Sequence, residues 1–245
     1  MHRFFIPNHM IYQTGVVFPD KVAHQMQHVL RFQAGDVVMV LDNQGRQFQI
    51  ALEDCAARPL SGSIIKMENA TGEPKTRLDL YISLTQREKF EWILQKCTEV
   101  GVSAFFPFTS SRSLVPARRN LAIKADRWEK IIQEAAEQSR RGRIPDLHGV
   151  ETFSGQLSRL PGDYDACLLA WEGAEGIDRL TIDPHRGKVS KVAMIIGPEG
   201  GFSEDEVNLA RAHGIGIVSL GERILRMETA AVVAATLVLH SLGDL

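Results

Sequence analysis

The residues whose types and spacing could do chemistry gather in two strings near the carboxyl end of the chain. The first, Ile195-Ile196-Gly197-Pro198-Glu199-Gly200-Gly201-Phe202, follows the apolar run Val192–Ile196 and precedes Ser203-Glu204-Asp205-Glu206. An apolar strand, a glycine-rich turn and an S-x-x-E capping box make a strand–loop–helix unit. The second string runs Leu220-Gly221-Glu222-Arg223-Ile224-Leu225-Arg226-Met227-Glu228-Thr229-Ala230. A short apolar strand, Ile215–Leu220, ends there at Gly221, and a helix-forming run starts near Glu228. Two such loops at the carboxyl ends of parallel strands are where an α/β sheet binds a ligand. The first loop lacks the Gly-Lys-Ser/Thr ending of a P-loop and is not G-x-G-x-x-G. Its glycines let the backbone approach a flat ligand while amides and carbonyls read the polar edge, which suits adenine or adenosine better than a triphosphate. A plain tight β-to-α turn is the competing reading.

The rest of the composition narrows the chemistry. Cys55, Cys97 and Cys167 are odd in number and far apart, and the eight histidines are scattered without ligand spacing, so neither a disulfide frame nor a metal site is expected. With 245 residues, 44% hydrophobic and 24% charged, the chain can build one large or two small domains around a real core. No apolar run approaches the roughly 20 residues that span a bilayer, and MHRFFIPNHM is no signal peptide, so a cytoplasmic protein is expected. A net charge of −2 argues against a generic nucleic-acid coat. Between Arg112 and Arg143, however, nine basic residues (Arg112, Arg118, Arg119, Lys124, Arg127, Lys130, Arg140, Arg141 and Arg143) face four acidic ones. That strip is either a phosphate-tracking surface or a solvated helix face laced with salt bridges.

Elements must position these groups. Residues 1–72 read as a small β-rich domain: Val16–Phe18, Val37–Leu41, Gln47–Leu52 and Ser63–Met67 are short apolar or alternating runs separated by turn formers. Asp20–Arg31 is expected to be a helix with Val22, Met26, Val29 and Leu30 on one side, giving a small barrel with an embedded helix. Asn69–Lys75 holds linker residues, which places a boundary near residue 73. Beyond it strands and helices alternate, as in an α/β domain. Strands are expected at Leu78–Leu84, Ser103–Phe108 and Ala166–Trp171, before the two strings. Helices are expected at Glu88–Val100, Leu121–Gln138 and Glu228–Leu242. Phe90, Ile93, Leu94, Cys97 and Val100 recur at helical spacing, and the last helix is apolar on more than one face.

IGPEGGFS, LGERILRMETA, the FEWILQKCTEVGV helix and the EAAEQSRRGRIP segment occur together and in family order, with an opening Arg3-Phe4-Phe5 and a His28-Val29-Leu30-Arg31 segment. Together they resemble the RsmE family of small-subunit (16S) ribosomal RNA uridine-N3 methyltransferases, within the SPOUT superfamily. The resemblance covers essentially the whole chain. It implies a PUA-like RNA-binding β-barrel over 1–72 and, over 73–245, an α/β SPOUT methyltransferase domain with a parallel sheet and a deep trefoil knot. It also implies S-adenosylmethionine as methyl donor, a homodimer, the 30S subunit as substrate partner, and no metal.

Carried over position by position, Ile196, Gly197, Pro198, Glu199, Gly200 and Gly201 form one wall of the donor pocket. Leu220, Gly221, Ile224, Leu225 and Arg226 form another, with Glu228, Thr229 and Ala230 at the start of the last helix; Leu169 and Glu172 complete it. Uracil N3 attacks only after losing its proton, so a base, or a cation that stabilises the uracil anion, is expected. Arg226 is the first candidate, with Arg112 and Glu137 beside it and Glu99 a weaker base. Arg3, Arg31, Arg87, Lys89, Arg112, Gln138, Arg140 and Arg141 are expected on the RNA. Gln86-Arg87-Glu88-Lys89-Phe90 replaces the relatives' Lys-Gly-x-Arg-Met run, and Ser111-Arg112 stands where they often have Glu-Arg. Competing readings are another SPOUT methylation, at ribose 2′-O or guanine, and a non-catalytic ribosome-assembly factor.

Overall fold

The computed structural model describes residues 1–113, 121–173, 180–182 and 189–245. They form two compact units: Met1–Glu73 with Ala136–Ile144, and Pro74–Ala135 with Pro145–Leu245. The division at Glu73 falls in the turn-forming Asn69–Lys75 stretch. The return of Ala136–Ile144 to the first unit has no local compositional signal at its start, because Ala136–Gln138 continue the helix that begins at Leu121.

In the first unit, β1 (Arg3–Phe5), β2 (Gly15–Val17), β3 (Val37–Leu41), β4 (Arg46–Leu52) and β5 (Ser61–Asn69) make one sheet in the order β1-β3-β4-β5-β2. β1 runs parallel to β3, and the other pairs are antiparallel. Alternation turns Phe4, Val38, Val40, Phe48 and Ile50 to one core with Val16 and Phe18. The β3–β4 turn is pinned by Asp42, whose carboxylate accepts from the Gln44 and Arg46 N–H groups at 2.7 and 3.0 Å and from Arg46 Nε at 2.6 Å. Burial opposes the charged form of Asp42, but these bonds outweigh it and hold the carboxyl below its ordinary range.

The helix expected over Asp20–Arg31 is present with a change of winding. α1 (Asp20–His24) runs into a π-helical turn, Gln25–Val29, in which Leu30 N–H reaches Gln25 O at 2.9 Å. The wider turn shifts the helical phase. Met26 is fully buried as expected, whereas Val29 is 66% exposed instead of facing inward.

The second unit is a parallel sheet. β6 (Arg77–Ser83), β7 (Ala104–Thr109), β8 (Asp146–Leu147), β10 (Ala166–Ala170), β11 (Lys191–Ile196) and β12 (Gly216–Val218) lie in the order β12-β10-β11-β6-β7-β8, and β9 (Glu151–Thr152) also pairs with β7. Helices α2 (Arg87–Val100), α3 (Leu121–Gln138), α4 (Phe153–Leu157), α5 (Leu160–Asp163), α6 (Glu204–Ala212) and α7 (Met227–Ser241) connect and cover them. Tyr81, Ala193 and Ile195 point to a core shared with Phe153, Leu157, Leu160, Val207 and Ala210 of α4–α6. Strand alternation sends Leu80, Ile82, Met194 and Ile196 to the other face, where α7 packs on β6 and β11 and against α2. Burial on both faces explains why β6 and β11 read as continuous apolar runs. Phe90, Ile93, Leu94 and Cys97 are fully buried along α2, as their spacing predicts. The helix stops at Gly101, whose φ of +125° suits glycine alone and where a Cβ would meet the Pro74 ring at 2.7 Å.

The short strands β1, β8 and β9 and helices α4 and α5 have no counterpart in the sequence reading, being too brief to show a period. No helix among the described residues is long and apolar enough to cross a membrane.

Candidate functional site

Three neighbouring strands end level. Ala170 of β10 pairs with Ile196 of β11 on one side and with Val218 of β12 on the other. The segments that follow, starting at Trp171, Gly197 and Ser219, therefore leave the sheet from one edge. Between them lies a cavity of about 370 Å³, a volume suited to a nucleoside-sized ligand.

The glycine loop is held tightly. Gly201 has φ +67°, and a Cβ there would run into the Glu172 carboxylate; a Cβ on Gly197 would meet the Phe202 ring at 2.8 Å. The loop enters α6 through a complete capping box: Ser203 Oγ accepts from Glu206 N–H at 3.2 Å, and Ser203 N–H donates to Glu206 Oε2 at 2.9 Å. The segment after β7 clamps it from outside. Arg112 Nη1 donates to Gly200 O at 3.0 Å, and Ser111 N–H donates to Glu206 Oε1 at 2.9 Å. Arg112 thus holds the loop; it is exposed and does not line the cavity.

Glu199 carries the densest polar network in the site. Its Oε1 accepts from the Thr85 hydroxyl and from Lys89 Nζ, the latter at 3.2 Å. Burial works against the carboxylate's charge, but Thr85, the residue's own N–H and Lys89 together keep its pKa below the ordinary value. Glu199 Oε2 is buried with no donor, and so is Glu228 Oε2. Arg226 forms the N-cap position of α7, is exposed, and makes no side-chain capping bond. Among the described residues it pairs with no carboxylate, Glu228 included.

Of the residues expected around a donor, Glu172, Ile196, Gly197, Pro198, Glu199, Gly201, Leu220, Gly221, Ile224, Leu225, Arg226, Glu228 and Ala230 line the cavity. Gly200 and Thr229 are exposed beside it, and Leu169 is fully buried in the core behind it. Lys89, expected on RNA, is part of the wall, as are Ala170, Trp171, Phe202, Ser219, Arg223 and Met227. Trp171 and Arg223 adjoin expected residues in sequence and were legible by adjacency; Phe202 was legible as the end of its motif.

The other expectations fare differently. Glu137, placed with the catalytic groups, is absent from the cavity wall; in the first unit its Oε1 accepts from Phe5 N–H at 3.1 Å and so docks β1. Arg141 is corrected outright. It is 2% exposed, and its guanidinium meets the Glu73 carboxylate twice, at 3.1 and 2.8 Å, so it holds the first unit together instead of facing RNA. Arg87 and Arg127 share Glu91, at 2.9 and 2.6 Å, and Lys130 pairs with Glu134. Three of the strip's nine basic residues, Arg127, Lys130 and Arg141, are thus paired with carboxylates. Arg118 and Arg119 lie outside the described residues. Gln138 and Arg140 are exposed, as is Arg31, held at φ +56°. Arg3 donates to Gln47 at 3.0 Å while its Nε is buried without an acceptor. Burial, then the nearby charge of Arg140, lowers the Arg3 pKa.

Residues 72–239 match the RNA methyltransferase domain family. The chain is 33% identical over 240 residues to the ribosomal RNA small subunit methyltransferase E of Synechocystis, covering 95% of this chain and 75% of that one. It is 34% identical over 217 residues to the protein of the same name from Bacillus subtilis, covering 86% and 84%. The chain belongs to this methyltransferase E family. A solved member from Neisseria gonorrhoeae, bound to S-adenosylmethionine, superposes with a TM-score of 0.82 at 26% identity, covering 96% of this chain and 95% of that one. A methyltransferase from Legionella pneumophila, also holding that cofactor, gives 0.83 at 26%, covering 97% and 96%.

Proposed function

We infer that this member of the methyltransferase E family transfers the methyl group of S-adenosylmethionine to N3 of a uridine in small-subunit ribosomal RNA. The observation that carries the reading is the single cavity into which both glycine-bearing strings converge at the level ends of β10, β11 and β12. The residues fit the donor. Gly197 and Gly201 leave no room for side chains, so backbone can lie against a flat base, and two buried carboxylate oxygens await donors or positive charge.

When bound, S-adenosylmethionine supplies an electrophilic methyl carbon on a sulfonium. The chain does the rest. The glycine loop, braced by Arg112 and the Ser203–Glu206 capping box, fixes the direction of the methyl group. Arg226, exposed at the cavity wall and free of carboxylates, faces the acceptor and favours the uridine anion once the N3 proton has passed to solvent. The N3–C bond then forms as the C–S bond breaks, with the bonding pair left on sulfur.

Several finer features belong to the same reading. The first unit serves as a PUA-like barrel that tracks RNA phosphates, supported by the exposed Arg140. The SPOUT trefoil knot is supported by the passage from β11 through α6 to β12, which crosses beyond β10. A homodimer is supported by the half-buried Val232, Val233 and Leu237 of α7, with Trp92 of α2 43% exposed. Such a protein works in the cytoplasm without a metal.

The test is methyl transfer from labelled S-adenosylmethionine to 30S subunits lacking the modification, with naked 16S rRNA in parallel and nucleosides read by mass spectrometry. N3-methyluridine is expected. A ribose- or guanine-methylated product would keep the donor site and overturn the acceptor. Donor binding without any methylation would point to a wrong substrate, and absence of donor binding would favour an assembly factor.

A further inference from the structure

Two carboxylates of the cavity wall bury an oxygen: Glu199 Oε2, on the glycine loop, and Glu228 Oε2, in the first turn of α7, accept no hydrogen bond. The guanidinium-bearing residues on the same wall, Arg223 and Arg226, are exposed. The buried charged oxygens of the wall therefore belong to carboxylates, while Glu172, Arg223 and Arg226 are exposed. Lys89 satisfies only the other oxygen of Glu199, at 3.2 Å.

A buried carboxylate oxygen without a donor is a cost that the fold alone does not recover. A positive charge on the ligand would offset it, and Coulomb attraction to a buried oxygen acts without direct contact. The transfer reaction changes that charge. The methyl carbon leaves sulfur for uridine N3, the C–S bonding pair stays on sulfur, the N3 proton goes to solvent, and a cationic sulfonium becomes a neutral thioether.

We propose that Glu199 and Glu228 make this cavity select the sulfonium over the thioether, so that the donor is held and the spent product released by the loss of one charge. The proposal rests on reading the cavity as the S-adenosylmethionine site and adds to it the basis of donor–product discrimination. It predicts a division between ligands that have one shape but differ in charge.

Calorimetry with three ligands tests it. S-adenosylmethionine and S-adenosylhomocysteine differ by the methyl group and its charge, and 5′-methylthioadenosine is neutral and lacks the amino-acid portion. The wild-type protein is expected to prefer the donor to the homocysteine product. Glu199→Gln and Glu228→Gln, which keep shape and remove charge, are each expected to shrink that preference severalfold, and together about tenfold or more. Methylthioadenosine affinity stays unchanged in both. An unchanged preference overturns the proposal. So does equal weakening of donor and product, which would assign the carboxylates to the ligand's ammonium group. Loss of methylthioadenosine binding also overturns it, because the carboxylates would then hold the pocket's shape. If the wild-type protein binds none of the three ligands, the cavity reading itself fails, a result distinct from the others.

Discussion

Replacing Arg226 with alanine separates chemistry from binding. The side chain caps nothing and, among the described residues, pairs with nothing, so its removal leaves α7 and the fold intact. A guanidinium about 4 Å from a developing anion is worth roughly 4 kcal/mol at an effective dielectric of about 20. Arg226 is exposed, and solvent screening reduces that to about 2 kcal/mol. The expected result is a fall of about 30-fold in the single-turnover rate of methyl transfer on 30S subunits. S-adenosylmethionine affinity, read by calorimetry, should change by less than about threefold, and the unfolding midpoint should not move. Arg226→Lys should retain part of the rate. Raising the pH should narrow the gap between variant and wild type, because uridine then ionises without help. Equal losses of rate and donor affinity would move Arg226 from stabilising the acceptor to holding the donor. An unchanged rate would remove it from the mechanism altogether.

Other outcomes follow from the same geometry. Gly201→Ala forces a side chain into φ +67° beside the Glu172 carboxylate, so donor affinity should fall about tenfold for about 1–2 kcal/mol of backbone strain; unchanged binding would show that the loop rearranges freely. Glu73→Ala removes the carboxylate that pairs with the buried Arg141 guanidinium and should cost about 1–3 kcal/mol in denaturant unfolding, whereas Arg140→Ala should leave stability alone and flatten the salt dependence of RNA binding. The opposite pattern would restore Arg141 to the RNA surface. Glu199 has a depressed pKa, so its stabilising contribution is complete above the ordinary carboxylate range and is lost only as pH falls through its own lower value. Thr85→Val removes one of its donors, so the folded-state pKa rises toward the ordinary value and the acid-dependent loss of stability should become smaller and finish at higher pH; superimposable pH–stability curves would refute that coupling.

Much of this was legible in the sequence because long periodic elements carry their own signal. The α2 pattern Phe90, Ile93, Leu94, Cys97 needed no tertiary information, and neither did the strings at Gly197 and Gly221, whose glycines mark turns. What escaped has physical reasons. The π turn after α1 keeps the residue types of an α-helix while changing its phase, so Val29 reads as inward and faces out. Arg141 and Arg140 are adjacent and identical in type. Only the fold, by giving Glu73 to one of them, makes the first a strut and leaves the second exposed. Charge counting over Arg112–Arg143 could not choose between a phosphate surface and a salt-bridged helix face, since Glu91 lies far outside that window yet pairs with Arg127.

Leu169 shows how the site depends on the sheet behind it. Its side chain contributes nothing to the cavity wall, yet it pairs with Ile195 and Ile217 and sits fully buried one residue before the edge. Because side chains alternate, slipping β10 by one residue would turn Leu169 out of the core shared with Phe202 and Val207 and would also unlevel the three strand ends. The same burial that stabilises the unit thus fixes the height at which Trp171, Gly197 and Ser219 depart. The segments at Trp171, Gly197 and Ser219 then meet at one cavity because the register of the parallel strands has already aimed them at one another.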